Sequence, residues 1–430
     1  MERIAIVGSR TDMARHAKEL GLEVVLVHSP GSRPDRVRQY VDLMIECPVA
    51  DAEAVLDVLA PLHRERPFRR VLAPGEDAVL TAAVVSEKLG IPGNSVETVV
   101  AIKNKVLTRQ AMDRVGISPV LHRTVASEAE LLAFLAEVNG KIILKPIDST
   151  GSLSTLPIED AEQARRAWGL YVADGHTEGL VEEFLEGPEV TLESFSVAGK
   201  HHPVGIDEYL KHPDQVVEIG DLFPGRVSEE NRNEMVRLTS ALLDAVGLLE
   251  GPSHTEFILT DKGPRVLETH CRIGGGAINE LVKRAYGVDL SRLQVSVPLG
   301  LETFTPHALD SGKGAAMIFF MPKPGRVTRI SGLDALETLG VPVHRMPVEK
   351  AWTGLVGLDP IRHAEVGVNL CLEVGEIAHP VRNNWELLMG FVIANGEDAD
   401  RAAARAEEVM AAITIETEPI ETEPVDGIPA

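Results

Sequence analysis

The chain has 430 residues, enough for two to four packed units rather than one core. Hydrophobic residues make up 44% and charged residues 25%, the balance of a folded globular protein and not of a disordered or fibrous one. A formal net charge of -23 repels phosphate backbones and anionic lipid, so nucleic-acid and membrane partners are not expected; three widely spaced cysteines form neither a disulfide framework nor a zinc pattern and fit a reducing cytoplasm. The N-terminal MERIAIVGSR lacks a secretory apolar core, and no apolar stretch is long enough to span a bilayer.

In chain order, the pattern predicts a strand at 3–7, a helix at 12–20 closed by Gly21, and a strand at 23–27, which together describe a parallel α/β unit. The turn after the first strand carries only Gly8, without the further glycines of a dinucleotide fingerprint, so a nicotinamide enzyme is disfavoured. A strand at 70–73 enters the turn PGED and a helix at 78–89 that Gly90 and Pro92 terminate, completing a first domain at 1–98. Residues 99–119 read as a single helix with Val106, Met112 and Val115 on one face and Lys103, Lys105 and Arg109 off it. Short strands and a helix alternate over 142–193, and a helix at 229–248 precedes a hairpin turning at Asp261 to Gly263, giving a central domain at 99–311. Strand-rich sequence from 312 ends in an alanine-rich amphipathic helix at 398–413, a small α+β domain. The acidic, proline-containing repeat at 415–430 cannot build a core and is expected to lack structure. The fold class expected is therefore α/β and α+β multidomain.

The hairpin carries the most specific chemistry. Equal counting outward from Lys262 sets Glu256 opposite Glu268 on one face, and a like-charged pair so placed is tolerable when a divalent cation, Mg²⁺ or Mn²⁺, lies between the carboxylates. Period two adds His270 and Arg272 to that face, ahead of the run Gly274, Gly275 and Gly276, and turns Cys271 away. A solvated hairpin edge is the alternative. In IILKP, Lys145 ends an apolar strand before a loop in which Gly151, Ser152 and neighbouring hydroxyls could wrap phosphate; it is not a P-loop, and an ordinary exposed loop would read alike. In VEEFLEGPEVTLE, Glu182, Phe184, Leu185 and Glu189 offer the apolar contacts and acceptors that adenine and ribose need, though each is also a commonplace surface or core residue.

Taken in order, the lysine helix, the lysine strand, the glycine loop, VEEFLEGPE and the two-carboxylate hairpin resemble the ATP-grasp superfamily over residues 70–300. TAAVVSEKLGIPGNSVETVVAIKNK, HTEFILTDKGPRVLETHCRIGGG and INELVKRAYGVDL look most like its amino-acid ligases, the group with bacterial dipeptide and carnosine synthetases. The resemblance implies an ATP-grasp fold in which Lys105 and Lys145 contact the ATP phosphates and the loop at Gly151 and Ser152 closes over them. It implies that Glu182 and the backbone near Phe184 and Leu185 hold adenine, that Glu189 binds ribose, that Glu256 and Glu268 carry magnesium, and that Arg272 stabilises the anionic phosphoryl and tetrahedral species. A lid at about 120–200 would exclude water. The family often has asparagine where this chain has His270, a poorer magnesium ligand, so His270 is left out of the metal set. Glu76, Lys211, Glu218, His254 and Gly275 are candidates for contacting substrate. The implied activity is ATP-dependent coupling of a small-molecule carboxylate to an amine through an acyl phosphate. Purine-type ligation, biotin carboxylation and a non-catalytic ATP-binding module are the alternatives. Homodimers are common among such proteins, and the sequence leaves oligomeric state open.

Overall fold

A computed structural model describes residues 2–32, 36–149, 154–211, 218–310, 312–346, 355–381, 386–387 and 389–420. The chain forms two compact units, the first from residues 1–207, 226–283 and 287–311 and the second from 208–225, 284–286 and 312–430.

The first unit opens with strands β1 (Arg3–Val7), β2 (Glu23–His28), β3 (Leu43–Glu46) and β4 (Arg70–Leu72), all parallel in the order β3-β2-β1-β4. Every residue of β1 is buried, as expected of a parallel strand covered on both faces, here beside helices α1 (Thr11–Glu19), α2 (Ala52–Glu65) and α3 (Val79–Leu89). The expected helix over 99–119 is instead two, α4 (Val96–Lys103) and α5 (Lys105–Val115). The break has a local cause: Asn104 is extended (φ -95°, ψ 107°), and its side chain accepts from the amides of Val106 and Leu107, capping α5. The break also lets the Lys105 amide donate to the Ile147 carbonyl at 2.9 Å.

Strands β5 (His122–Val125), β6 (Ile142–Lys145), β7 (Leu156–Ile158) and β8 (Gly179–Glu183) form an antiparallel sheet in the order β5-β8-β6-β7. Helices α6 (Glu128–Val138) and α7 (Ala161–Ala173) enclose its core of Leu131, Phe134, Ile142, Leu144, Tyr171 and Val181. This sheet lies within the span expected for a lid. Next come β9 (Glu189–Val197), β10 (Lys200–Lys211), β11 (Glu218–Phe223), α8 (Glu229–Val246) and the hairpin β12 (Gly251–Thr260) and β13 (Gly263–His270), followed by α9 (Ile278–Tyr286) and α10 (Leu290–Ser296). Within the first unit the order is β13-β12-β9-β10, with α5 and α8 sharing the apolar cluster of Met112, Leu242, Phe257 and Val266.

In the second unit β11 pairs with β14 (Gly314–Phe319), and the order continues through β19 (Gly390–Gly396), β17 (Val366–Leu370) and β16 (Val343–Arg345). Helices α11 (Leu333–Thr338) and α12 (Ala399–Ala412) contribute to its core. The pairing of β11 with β14 draws residues 208–225 into a unit that the sequence places after 312. Strand β15 (Gly325–Ser331) lies between β18 (Ile377–Ala378) and β20 (Thr414–Glu418). The expectation that 415–430 lacks structure is thus corrected at its start. Ile415 packs against the core and Arg329 pairs with Glu416, giving the acidic segment a partner strand; residues 421–430 lie outside the described residues. Among the described residues no helix is long and apolar enough to cross a membrane.

Candidate active site

The hairpin sets Glu256 directly opposite Glu268 and His254 opposite His270. The route to this register differs from equal counting about Lys262. Thr260 pairs with Gly263, so the turn has two residues, and a bulge between Glu256 and Phe257 leaves Leu267 as the extra residue on β13. One bulge shifts pairing by one, and without it Glu256 would face Leu267.

Ligand atoms of Glu256, Glu268 and His270 all lie within 4.8 Å of one another. His270 Nε2 is 3.3 Å from Glu268 Oε1, and its Nδ1 is 3.1 Å from Glu76 Oε2. Lys105 Nζ reaches Glu268 Oε2 at 2.7 Å and donates to the Ser149 carbonyl at 2.6 Å. Burial alone would raise the Glu268 pKa; Lys105 and His270 overcome it and hold the carboxylate well below its ordinary range. Two opposed carboxylates offer the hard oxygen donors that suit magnesium, and His270 sits close enough to widen the donor set toward manganese. The structure therefore groups His270 with the residues from which the sequence reading separated it.

A second layer fixes these groups. His254 contacts Glu193 through Nδ1 and lies 3.2 Å from Glu256 Oε1 through Nε2. Burial would lower its pKa, but the Glu193 and Glu256 carboxylates push it up to about 10, so the imidazole is charged at neutral pH. His254 is thus a brace for Glu256, not a group shown against substrate. The Gly274 amide donates to Glu193 at 3.3 Å, and a Cβ at Gly274 would come within 2.4 Å of Ile278 and 2.8 Å of His254, so only glycine fits. Gly275, next along, is exposed. Glu76, in the turn after β4, takes Lys103 at 2.7 Å and Arg272 Nε at 3.1 Å besides His270. Burial opposes the Glu76 charge, and His270, Arg272 and Lys103 reverse that, holding its pKa far below the carboxylate norm. Arg272 also donates to the Ile273 carbonyl, so two bonds orient its guanidinium.

Lys145 is buried, and its Nζ donates to Glu182 Oε2 at 2.8 Å, while Arg109 pairs with the other oxygen. Arg109 further donates to the carbonyls of Val266 and Leu267, at 2.9 and 3.2 Å, on the bulge itself. With one oxygen on Arg109 and the other on Lys145, Glu182 is a counter-ion to both cations. Sequence reading missed Arg109, Lys103 and Glu193; an acid in the middle of the apolar run VTLESFSV was a readable signal for Glu193. Burial works against the Glu182 charge, and Arg109 and Lys145 pull its pKa down to about 2 from an ordinary 4.5. A depressed carboxylate stabilises the fold above its unfolded pKa, and that contribution disappears as pH falls from about 4.5 through about 2. Thermal midpoints measured across this window should fall for the wild type, and Glu182→Gln should flatten the dependence.

Phe184 and Leu185 are half-buried; Lys141 Nζ stands 4.2 Å from the Phe184 ring centroid. Gly187 has φ +145°, and a Cβ there would lie 2.1 Å from the Leu259 carbonyl, which explains the Gly-Pro turn before Glu189. Glu189 is half-buried opposite Ile258. Gly151 and Ser152 lie outside the described residues. Lys211 and Glu218 face each other across β10 and β11 in the second unit.

Two family models match: an ATP-grasp N-terminal domain over residues 14–93 and an ATP-grasp domain over residues 102–276. With the fold and the two-carboxylate hairpin, they place the chain in the ATP-grasp family. Within it the chain is related, at low identity, to bacterial L-amino acid ligases and carnosine synthase. The alanine–anticapsin ligase of Bacillus subtilis (strain 168) is 23% identical over 256 residues, 52% of this chain and 54% of that protein. Carnosine synthase 1 of Homo sapiens is 24% identical over 319 residues, 67% of this chain and 38% of that one. The chain thus spans less than two thirds of these curated relatives. The crystal structure of an L-amino acid ligase from Bacillus licheniformis superposes with a TM-score of 0.73 at 22% identity, covering 97% of this chain and 99% of that one, and shares its fold.

Proposed function

We propose that the chain is an ATP-dependent carboxylate–amine ligase that joins amino acids or amino-acid-like molecules through an acyl phosphate. The observation that carries this reading is the opposed pair Glu256 and Glu268 with Lys105 on the latter, two carboxylates facing each other beside an ammonium group. Glu256 and Glu268 would hold magnesium, which supplies positive charge to the phosphate oxygens when bound. Lys105 and Lys145 bind and orient the triphosphate. A substrate carboxylate oxygen attacks the γ-phosphorus, the bond to the β-phosphate oxygen breaks, and ADP departs. The amine nitrogen of the second substrate then attacks the acyl carbon; Arg272, held by Glu76, stabilises the oxyanion, and the C–O bond to phosphate breaks as the nitrogen loses a proton. Phe184, Leu185 and Glu189 are assigned to the nucleoside, and Gly151 and Ser152 to the phosphates.

The amino-acid preference is supported by the names of the relatives and by HTEFILTDKGPRVLETHCRIGGG. The test is a screen of amino-acid pairs with Mg-ATP, reading ADP release and product mass. Release of ADP together with an amide of the summed mass less water is the expected result. No such product across the panel, or bicarbonate-dependent ADP release without an amine, would overturn it.

A further inference from the structure

Outside the hairpin cluster, the first unit contains a cavity of about 210 Å³ at the carboxyl ends of its parallel strands. Its wall comes from Gly8 to Arg10 after β1, Ser29 and Ser32 after β2, Val49 after β3, and Pro74, Gly75 and Asp77 after β4. The strand order β3-β2-β1-β4 reverses direction at β1, so a crevice opens between the loops leaving β1 and β4, the place where open parallel sheets take ligands.

We propose that this cavity is the subsite for the free α-carboxylate of an amino-acid substrate, with Arg10 as the cation that receives it. The inference rests on the ligase reading and names the substrate class. Among the described residues, Arg10 is the one basic side chain in the wall, and Asp77 is the one acidic one. A wall with one charge of each sign matches a zwitterion, whereas a phosphate dianion would leave charge unmet beside Asp77. Val49 and Pro74 add apolar surface for a small side chain. The pocket is also structurally defined: Ser32 Oγ donates to the Ser29 carbonyl at 2.7 Å, and the Val49 amide donates to Ser29 Oγ at 3.4 Å, tying the loops after β2 and β3 together.

The turn after β4 joins this cavity to the chemistry. Pro74, Gly75 and Asp77 line it, while the intervening Glu76 lines the cleft that holds Glu268 and His270. Arg10 also lies near enough to Arg272 that, after burial, the charge of Arg272 holds its pKa below the arginine norm. An amino acid anchored at Arg10 would therefore lie against the turn whose Glu76 holds Arg272.

The test titrates the full chain, with ADP and Mg²⁺ present, with each common amino acid, the corresponding amino-acid amides and inorganic phosphate. At least one amino acid should bind, with its amide weaker by at least about tenfold. Arg10→Gln should weaken the acid by a similar factor, Arg10→Lys should restore part of the affinity, and ADP binding should be unchanged in both. Equal affinity in wild type and Arg10→Gln, binding of phosphate alone, or no amino-acid binding would each overturn the subsite. Ligation undiminished in Arg10→Gln would refute the subsite and spare the ligase reading. Arg10-dependent binding without any amide product would do the opposite.

Discussion

Glu268→Gln should lower ADP release by at least about a hundredfold while the fold survives. Glutamine keeps the shape and one acceptor but removes the charge that answers both Lys105 and a divalent ion. The hairpin register does not depend on that charge, since the bulge at Leu267 is tied through its carbonyl to Arg109. Thermal unfolding should therefore change little, and the loss should appear in cation binding. Titration with Mn²⁺ in the presence of ADP, followed by the paramagnetic signal of the free ion, gives a readout that needs no knowledge of the coupled substrates. The wild type should take up the ion and the variant should not. Glu256→Gln should behave alike, and the double variant should lose little more than either single one, because the two carboxylates act as a unit. Turnover and ion binding in Glu268→Gln within threefold of wild type would remove the central claim.

The outline of this site was legible because strand periodicity is a strong constraint: once FILTDKGPRVLE reads as a hairpin, Glu256, Glu268, His270 and Arg272 must share a face. The count that paired the two glutamates assumed a symmetric turn at Lys262. It reached the observed partners because the bulge offsets the shorter turn, and a bulge leaves no signature in an alternation pattern. What the sequence hides is non-local. Arg109 lies off the apolar face of its helix and so reads as a surface cation; only the fold brings Glu182, from a strand 73 residues away, against it in the interior. Glu76 is offered by the sequence as a substrate candidate, and its contact with His270 arises only where the turn after β4 meets the end of β13. The pairing of β11 with β14 and of β15 with β20 joins segments whose affinity depends on which edges remain open, a property of the assembled sheet rather than of either strand. Local capping, by contrast, could have been read: Asn104 between two lysines is a good N-cap, and it divides the helix that periodicity alone ran through.

Arg109→Leu should be the most destabilising single change in the first unit. Arg109 is 3% exposed and Glu182 is 1% exposed, so removing the guanidinium leaves a buried carboxylate with Lys145 as its remaining cation. Breaking a buried pair from one side costs about 3–5 kcal/mol, because the surviving charge stays desolvated. In a domain of this size that corresponds to a fall of roughly 10 °C in the unfolding midpoint. The deficit should depend on pH with a definite sign. At pH 7 Glu182 is ionised and the full penalty applies; near pH 2, where the carboxyl protonates in both proteins, wild type and variant should converge. Arg109→Leu should also raise the KM for ATP, because the Glu182 carboxylate that holds Lys145 loses its other anchor, and because the Val266 and Leu267 carbonyls at the bulge lose their donor next to Glu268. A variant that melts within about 2 °C of wild type at pH 7 would show that the pair is solvated, and that Lys145 is positioned by something other than the Arg109–Glu182 bridge.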